Sequence, residues 1–136
     1  MSGHGVFIEE ARELLSRMES SLQGFGDASD PQEVLHEVFR AAHTLKGAAG
    51  VFGFDAIVQF AHGAEALLDK ARDGVVQLGT VEIETLLAAH DELVRLVEAV
   101  EAGAEVLEGD GALAQRLLEL SEGRARKAKK AKAPKK

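Results

Sequence analysis

The sequence predicts an all-α protein, an antiparallel four-helix bundle with a fifth, C-terminal helix. Three observations carry this. Ala, Leu and Glu are abundant while Trp and Tyr are absent and Pro occurs only twice, a composition that favours helices over sheets. Apolar residues recur at helical spacing in five segments, and no strand pattern competes. The connections are short, so antiparallel packing is the economical arrangement for four long amphipathic helices.

The first helix is expected at about 6–23, where Phe7, Ala11, Leu14, Met18, Ser21/Leu22 and Phe25 form a near-heptad stripe that "GFGDASD" then breaks. Asp30, Pro31 and Glu33 supply an N-cap, a first-position proline and a capping box, so the second helix begins there. Its stripe is Leu35, Val38, Ala42, Leu45 and Ala49, and it ends near 51–53. In the third helix Asp55 is a candidate cap, Val58, Ala61 and Leu68 line the core and Gly74 is the stop. The fourth runs from Thr80 to Gly103 with Ile83, Leu86, Leu87, His90, Val94, Val97 and Val100 on one side. A shorter fifth, at about 111–122, carries Leu113, Leu117, Leu118 and Leu120.

Length and charge bound the function. A chain of 136 residues suits one domain, and 46% hydrophobic residues can bury a core. Cysteine is absent, which excludes disulfides and zinc–thiolate sites and fits a reducing compartment. No signal peptide and no membrane-spanning apolar run is evident, so the expectation is a cytoplasmic protein. The net charge of −7 is divided: residues 124–136, "RARKAKKAKAPKK", hold half of the Lys and Arg and no acid. Residues 1–123 are read as the bundle domain and 124–136 as a basic, Lys/Ala-rich flexible tail or linker. An acidic body is a poor nucleic-acid binder, so no specific nucleic acid is expected.

"RAAHTLKGAAG", residues 40–50, holds the chemistry. Glycine inside a helix costs roughly 1 kcal/mol against alanine, so Gly47 and Gly50 need a compensating reason. At about 100° per residue, His43 falls well off the core centre of its helix, and around His43 itself His36 and Gly50 lie within roughly 20°, Phe39 and Gly47 within about 40°, and Lys46 within about 60°. An exposed imidazole whose neighbours are trimmed to hydrogen suits a large partner, which alone needs such clearance. The alternative is that the glycines permit close helix packing within the bundle.

"HTLKGAAGVFGF", with "FAHGAEALLDKARDG" after it and "FIEEARELLSRMESSL" as the opening helix, resembles the histidine-containing phosphotransfer (HPt) domain, in the version found at the N-terminus of chemotaxis histidine kinases. The likeness covers about residues 6–123. It implies that His43 accepts a phosphoryl group from an ATP-dependent histidine kinase catalytic domain, in cis or in trans. It also implies that His43 passes the group to an Asp of a response-regulator receiver domain of the CheY type, and that Lys46, His62 and Glu65 surround it. His36, Phe39, Arg40, Lys46, Gly47 and Gly50 are the expected partner-binding positions. The bundle is expected to be monomeric.

The chemistry agrees. A nucleophilic imidazole must be neutral with a free lone pair, and the hydrogen bond at the other nitrogen selects which one is free. Glu65 is the choice for that acceptor, taking Nδ1–H and leaving Nε2 to attack. His62 and Glu65 share one face of the third helix. Lys46, one turn from His43, is placed to pair with phosphate oxygens or an acidic receiver surface. No phosphate-binding glycine loop of either known kinase or nucleotidase type occurs. No cofactor is therefore expected in this chain; ATP and Mg²⁺ belong to the partner kinase and receiver domains. The chain reads as a phosphoryl carrier, the phosphoacceptor domain of a larger histidine kinase, and no metal site is expected.

The remaining candidates read as structural. His90 lies on the apolar stripe of the fourth helix and is expected to be a satisfied core histidine, His4 to sit in a frayed N-terminus and His36 to be solvated. Phe39, Phe52 and Phe54 are expected to pack around the corner between the second and third helices. A carboxylate-bridged metal bundle would need Glu-x-x-His on two helices, and only "EVLH" (33–36) fits. A non-catalytic helical-bundle interaction scaffold is the alternative function.

Overall fold

The structure is a computed structural model that describes residues 3–105 and 107–123; the basic segment 124–136 lies outside the described residues. Five α-helices follow in order: α1 (Gly3–Gln23), α2 (Pro31–Phe52), α3 (Asp55–Arg72), α4 (Thr80–Glu101) and α5 (Gly111–Ser121). A 3₁₀ turn at Phe25–Asp27 separates α1 from α2.

Local chemistry fixes the ends of α2. The Asp30 side chain accepts from the Glu33 N–H at 3.3 Å and Pro31 occupies the first turn, so the helix starts where its capping residues stand. Gly53 ends it in the left-handed conformation, φ 78°, with its N–H returning to Ala49 and Gly50 carbonyls. That reversal needs only Gly53 and Phe54 before α3 begins, so α2 and α3 lie antiparallel. Asp55 is the first residue of α3 rather than its cap; Phe54 holds the cap position without a side-chain bond.

The four long helices close a ring, α1 touching α2 and α4, and α3 touching α2 and α4, while α5 lies against α3 and α4. The interior is filled by Phe7, Leu15, Met18, Leu35, Leu45, Ile57, Phe60, Leu67, Leu68, Leu86, Leu93, Leu96 and Leu117. Each such side chain contributes about 1.5–3 kcal/mol on burial. Arg12 of α1 pairs with Glu101 of α4 across the ring.

Some placements differ from the sequence expectation. α1 begins at Gly3, and His4 is helical, its ring edge-on to Phe52 and Phe54 at 5.8 and 5.1 Å, so the N-terminus is tied to the α2–α3 corner instead of fraying. On α4, Ala89, Leu93 and Leu96 are buried and Ile83, Leu87 and Val94 only partly so. The cause is that α4 packs against α1, α3 and α5, so its buried surface is broader than one stripe. Leu118 of α5 faces solvent. Two glycines serve close approach: a Cβ at Gly63 would meet Leu117 of α5 at 3.4 Å, and one at Gly109 would meet the Phe60 ring at 2.6 Å.

Candidate functional site

The antiparallel register of α2 and α3 brings residue 43 opposite residue 65. His43 stands on the solvent side of α2 with its side chain 62% exposed, whereas the Glu65 side chain is only 11% exposed. Glu65 Oε2 accepts a short hydrogen bond from His43 Nδ1–H. Lys46, one turn after His43, sets its Nζ 2.5 Å from Glu65 Oε1. His62, one turn before Glu65, has Nδ1 at 3.9 Å from the same oxygen and is itself well exposed. The four residues His43, Lys46, His62 and Glu65 thus meet around one carboxylate.

Burial acts to raise the Glu65 pKa, but hydrogen bonds and charge from Lys46 and His43 outweigh it and hold the carboxyl below its ordinary value. The group is therefore anionic at neutral pH and can only accept hydrogen bonds. In a neutral imidazole, an acceptor at Nδ1 requires the proton there, which puts the lone pair on Nε2. Nε2 is then the ring nitrogen left without a contact to Glu65. Lys46, expected at phosphate oxygens, is tied to Glu65 in this arrangement.

The rest of the α2 face is sparse. A Cβ at Gly47 would meet nothing within 4 Å, and one at Gly50 only a Val58 methyl at 4.0 Å. No neighbouring helix therefore presses on either glycine, and the close-packing alternative for them does not hold. His36 is exposed, as expected of it. Arg40, also exposed, borders the groove between α1 and α2 with Arg17 and Glu37.

Phe39 is not at the α2–α3 corner. Phe52 and Phe54 are there, with Phe7. Phe39 lies one turn before His43, its ring parallel to the imidazole within 8° at 6.0 Å between centroids, and the Arg72 guanidinium sits over the Phe39 ring at 4.0 Å. The antiparallel register explains the correction, because it sets residue 39 across from the last turn of α3 and not its first. Arg72 went unnoticed in the sequence; its only signal was a cation in the C-terminal turn of α3, where the helix dipole favours one. His90 is buried on α4 with Nδ1 3.0 Å from Asp91 Oδ1, a core histidine with a partner. Among the described residues no cluster of three or more His, Cys, Asp or Glu is placed to hold a metal, and no helix is long and apolar enough to cross a membrane.

Comparison with known proteins places this geometry. The Hpt domain family model matches residues 4–123. The chemotaxis protein CheA of Salmonella typhimurium is 40% identical over 100 residues, which are 74% of this chain and 15% of that protein. CheA of Rhizobium meliloti is 36% identical over 101 residues, 74% of this chain and 13% of that one. The chain therefore spans about a seventh of the length of the curated relatives it matches. Among solved structures, the phosphorylated P1 domain of CheA3 in complex with CheY6 from R. sphaeroides superposes with a TM-score of 0.75 at 27% identity, over 90% of this chain and 95% of that one. The solution structure of the histidine phosphotransfer domain of CheA gives 0.73 at 30% identity, over 85% and 88%.

Proposed function

Since this chain belongs to the Hpt domain family, we propose that it is the phosphoryl carrier of a chemotaxis-type two-component phosphorelay, with His43 as its acceptor. The observation that carries the reading is the pairing of an exposed imidazole with a buried, anionic carboxylate at Nδ1, which leaves Nε2 free on a helix face cleared by Gly47 and Gly50. The relative that superposes over nine-tenths of the chain is itself phosphorylated and bound to CheY6.

In the first step the Nε2 lone pair forms a bond to the γ-phosphorus of ATP held by a histidine kinase domain, the bond from that phosphorus to the bridging oxygen breaks, and ADP leaves. The ring, now bonded at Nε2 and still protonated at Nδ1, is cationic, and Glu65 neutralises it. In the second step a receiver aspartate oxygen bonds to phosphorus, the N–P bond breaks, and the electron pair returns to Nε2. Phosphoryl transfer passes through a loose transition state in which positioning and charge do most of the work, so Mg²⁺ and the remaining catalytic groups come with the partners. We place the carrier in the cytoplasm, where ATP-dependent kinases act.

Incubation of the chain with labelled ATP and a cognate kinase domain tests the assignment. Wild type is expected to acquire acid-labile, base-stable label and His43→Gln none, with helicity unchanged because the side chain packs little. Full labelling of the variant moves the site elsewhere. Kinase binding without any label on the wild type would favour the scaffold.

A further inference from the structure

One hydrogen bond holds one edge of the His43 ring. Rotation of an imidazole about its Cβ–Cγ bond is broad, and a single contact at Nδ1 leaves the plane of the ring free to swivel around that contact. With the side chain 62% exposed, few other atoms can restrain it. The direction of the Nε2 lone pair, which lies in the ring plane, then depends on whatever fixes that plane.

Phe39 supplies the restraint. It precedes His43 by one turn of α2, its ring is half-buried against the core, and the two planes are parallel within 8° at a centroid distance of 6.0 Å, within the range of offset stacking. Phe39 is in turn held from its own face by Arg72, whose guanidinium carbon is 4.0 Å from the ring centroid. Arg72 Nη2 is 3.8 Å from Asp69 Oδ1, one turn earlier on α3. Glu65 and Arg72 are two turns apart on α3, so one helix governs the imidazole twice: directly at Nδ1, and through Phe39 at the ring plane.

We propose that Phe39 is a positioning residue for phosphoryl transfer at His43, with Arg72 holding Phe39 in register. This rests on the phosphocarrier reading above and deepens it. It also moves Phe39 from the docking surface to the support of the nucleophile.

The test uses the chain with a separate cognate kinase domain, following kcat and KM for phosphorylation of wild type, Phe39→Leu, Phe39→Tyr and Arg72→Gln. A misplacement of about 1 Å can cost on the order of 10²-fold in rate, so Phe39→Leu is expected to lower kcat by about tenfold with KM unchanged. Phe39→Tyr, which keeps the ring, restores kcat, and Arg72→Gln falls between. In parallel, the His43 ring protons should shift in the NMR spectrum of Phe39→Leu as the ring current is lost, while Nδ1 stays protonated against Glu65. A rise in KM at wild-type kcat would make Phe39 a docking contact and overturn the proposal. Wild-type kinetics in Arg72→Gln, which leaves the core intact and so decides alone should Phe39→Leu unfold, would overturn it as well. If wild type itself takes no label while the kinase labels another acceptor, the phosphocarrier reading falls first.

Discussion

Replacing Glu65 by glutamine keeps the shape of the side chain, and still offers an acceptor to His43 Nδ1–H, but removes the charge that Lys46 pairs with. Its effect on acid stability has a definite sign. The folded-state pKa of Glu65 lies below the ordinary 4.5, so on acidification the unfolded chain takes up the proton first. The ionised carboxylate therefore adds stability that is fully present above about the ordinary value and is lost as pH falls through the lower, folded one. Glu65→Gln should flatten the acid limb of a plot of melting temperature against pH; an unchanged limb would assign that limb to other carboxylates, Glu92 with its Arg95 partner first among them. Glu65 was legible in the sequence because the resemblance to the HPt family implies a carboxylate there beside His43, and the face it shares with His62 on an antiparallel neighbour agrees with that. Phe39 was misplaced for an equally plain reason. A helical wheel gives the angle of a side chain but not which turn of the next helix it meets, and that register was set by the two-residue reversal at Gly53 and Phe54.

The α2 helix carries two glycines at positions that favour alanine locally and are sterically open to it. Gly47→Ala and Gly50→Ala should each stabilise the fold by about 0.5–1 kcal/mol, read as a higher melting temperature. Gly47→Leu or Gly50→Leu should instead slow transfer from phosphorylated His43 to a receiver, by up to on the order of 10²-fold if the partner is displaced by about 1 Å. Wild-type transfer rates in both leucine variants would sink the access argument. The start of α2 could be read to the residue from Asp30 and Pro31, and its end was confined to 51–53, where Gly53 is strong punctuation. Those of α1 could not: its first turn is stabilised by the contact of His4 with Phe52 and Phe54, a tertiary effect that no local pattern announces. The broad buried surface of α4 is another product of packing, because periodicity shows one stripe and α4 serves three neighbours.

Across the whole molecule, glycines of opposite consequence sit in one chain. Gly109 lies in the connection before α5, where an added Cβ would fall 2.6 Å from the Phe60 ring in the core. Gly109→Ala should destabilise by about 1–3 kcal/mol through overpacking, with the extent of His43 labelling unchanged well below the melting temperature; a variant as stable as wild type would mean that the connection yields freely. The existence of α5 was legible from its leucines, but its seat against α3 and α4 was not, since nothing in a leucine pattern says which groove is vacant. The same arrangement bears on how the molecule assembles. His43 and Glu65 are 22 residues apart along the chain, whereas the Arg12–Glu101 pair that closes the ring joins residues 89 apart. Loop-closure entropy rises with the logarithm of that separation, so the α2–α3 hairpin is the less costly long-range pairing to form. His43, Lys46, His62 and Glu65 all lie on those two helices, as do Phe39 and Arg72. The cluster around Glu65 thus belongs to the part of the chain whose topology lets it form early, and opening of α1 away from α4 breaks none of its contacts.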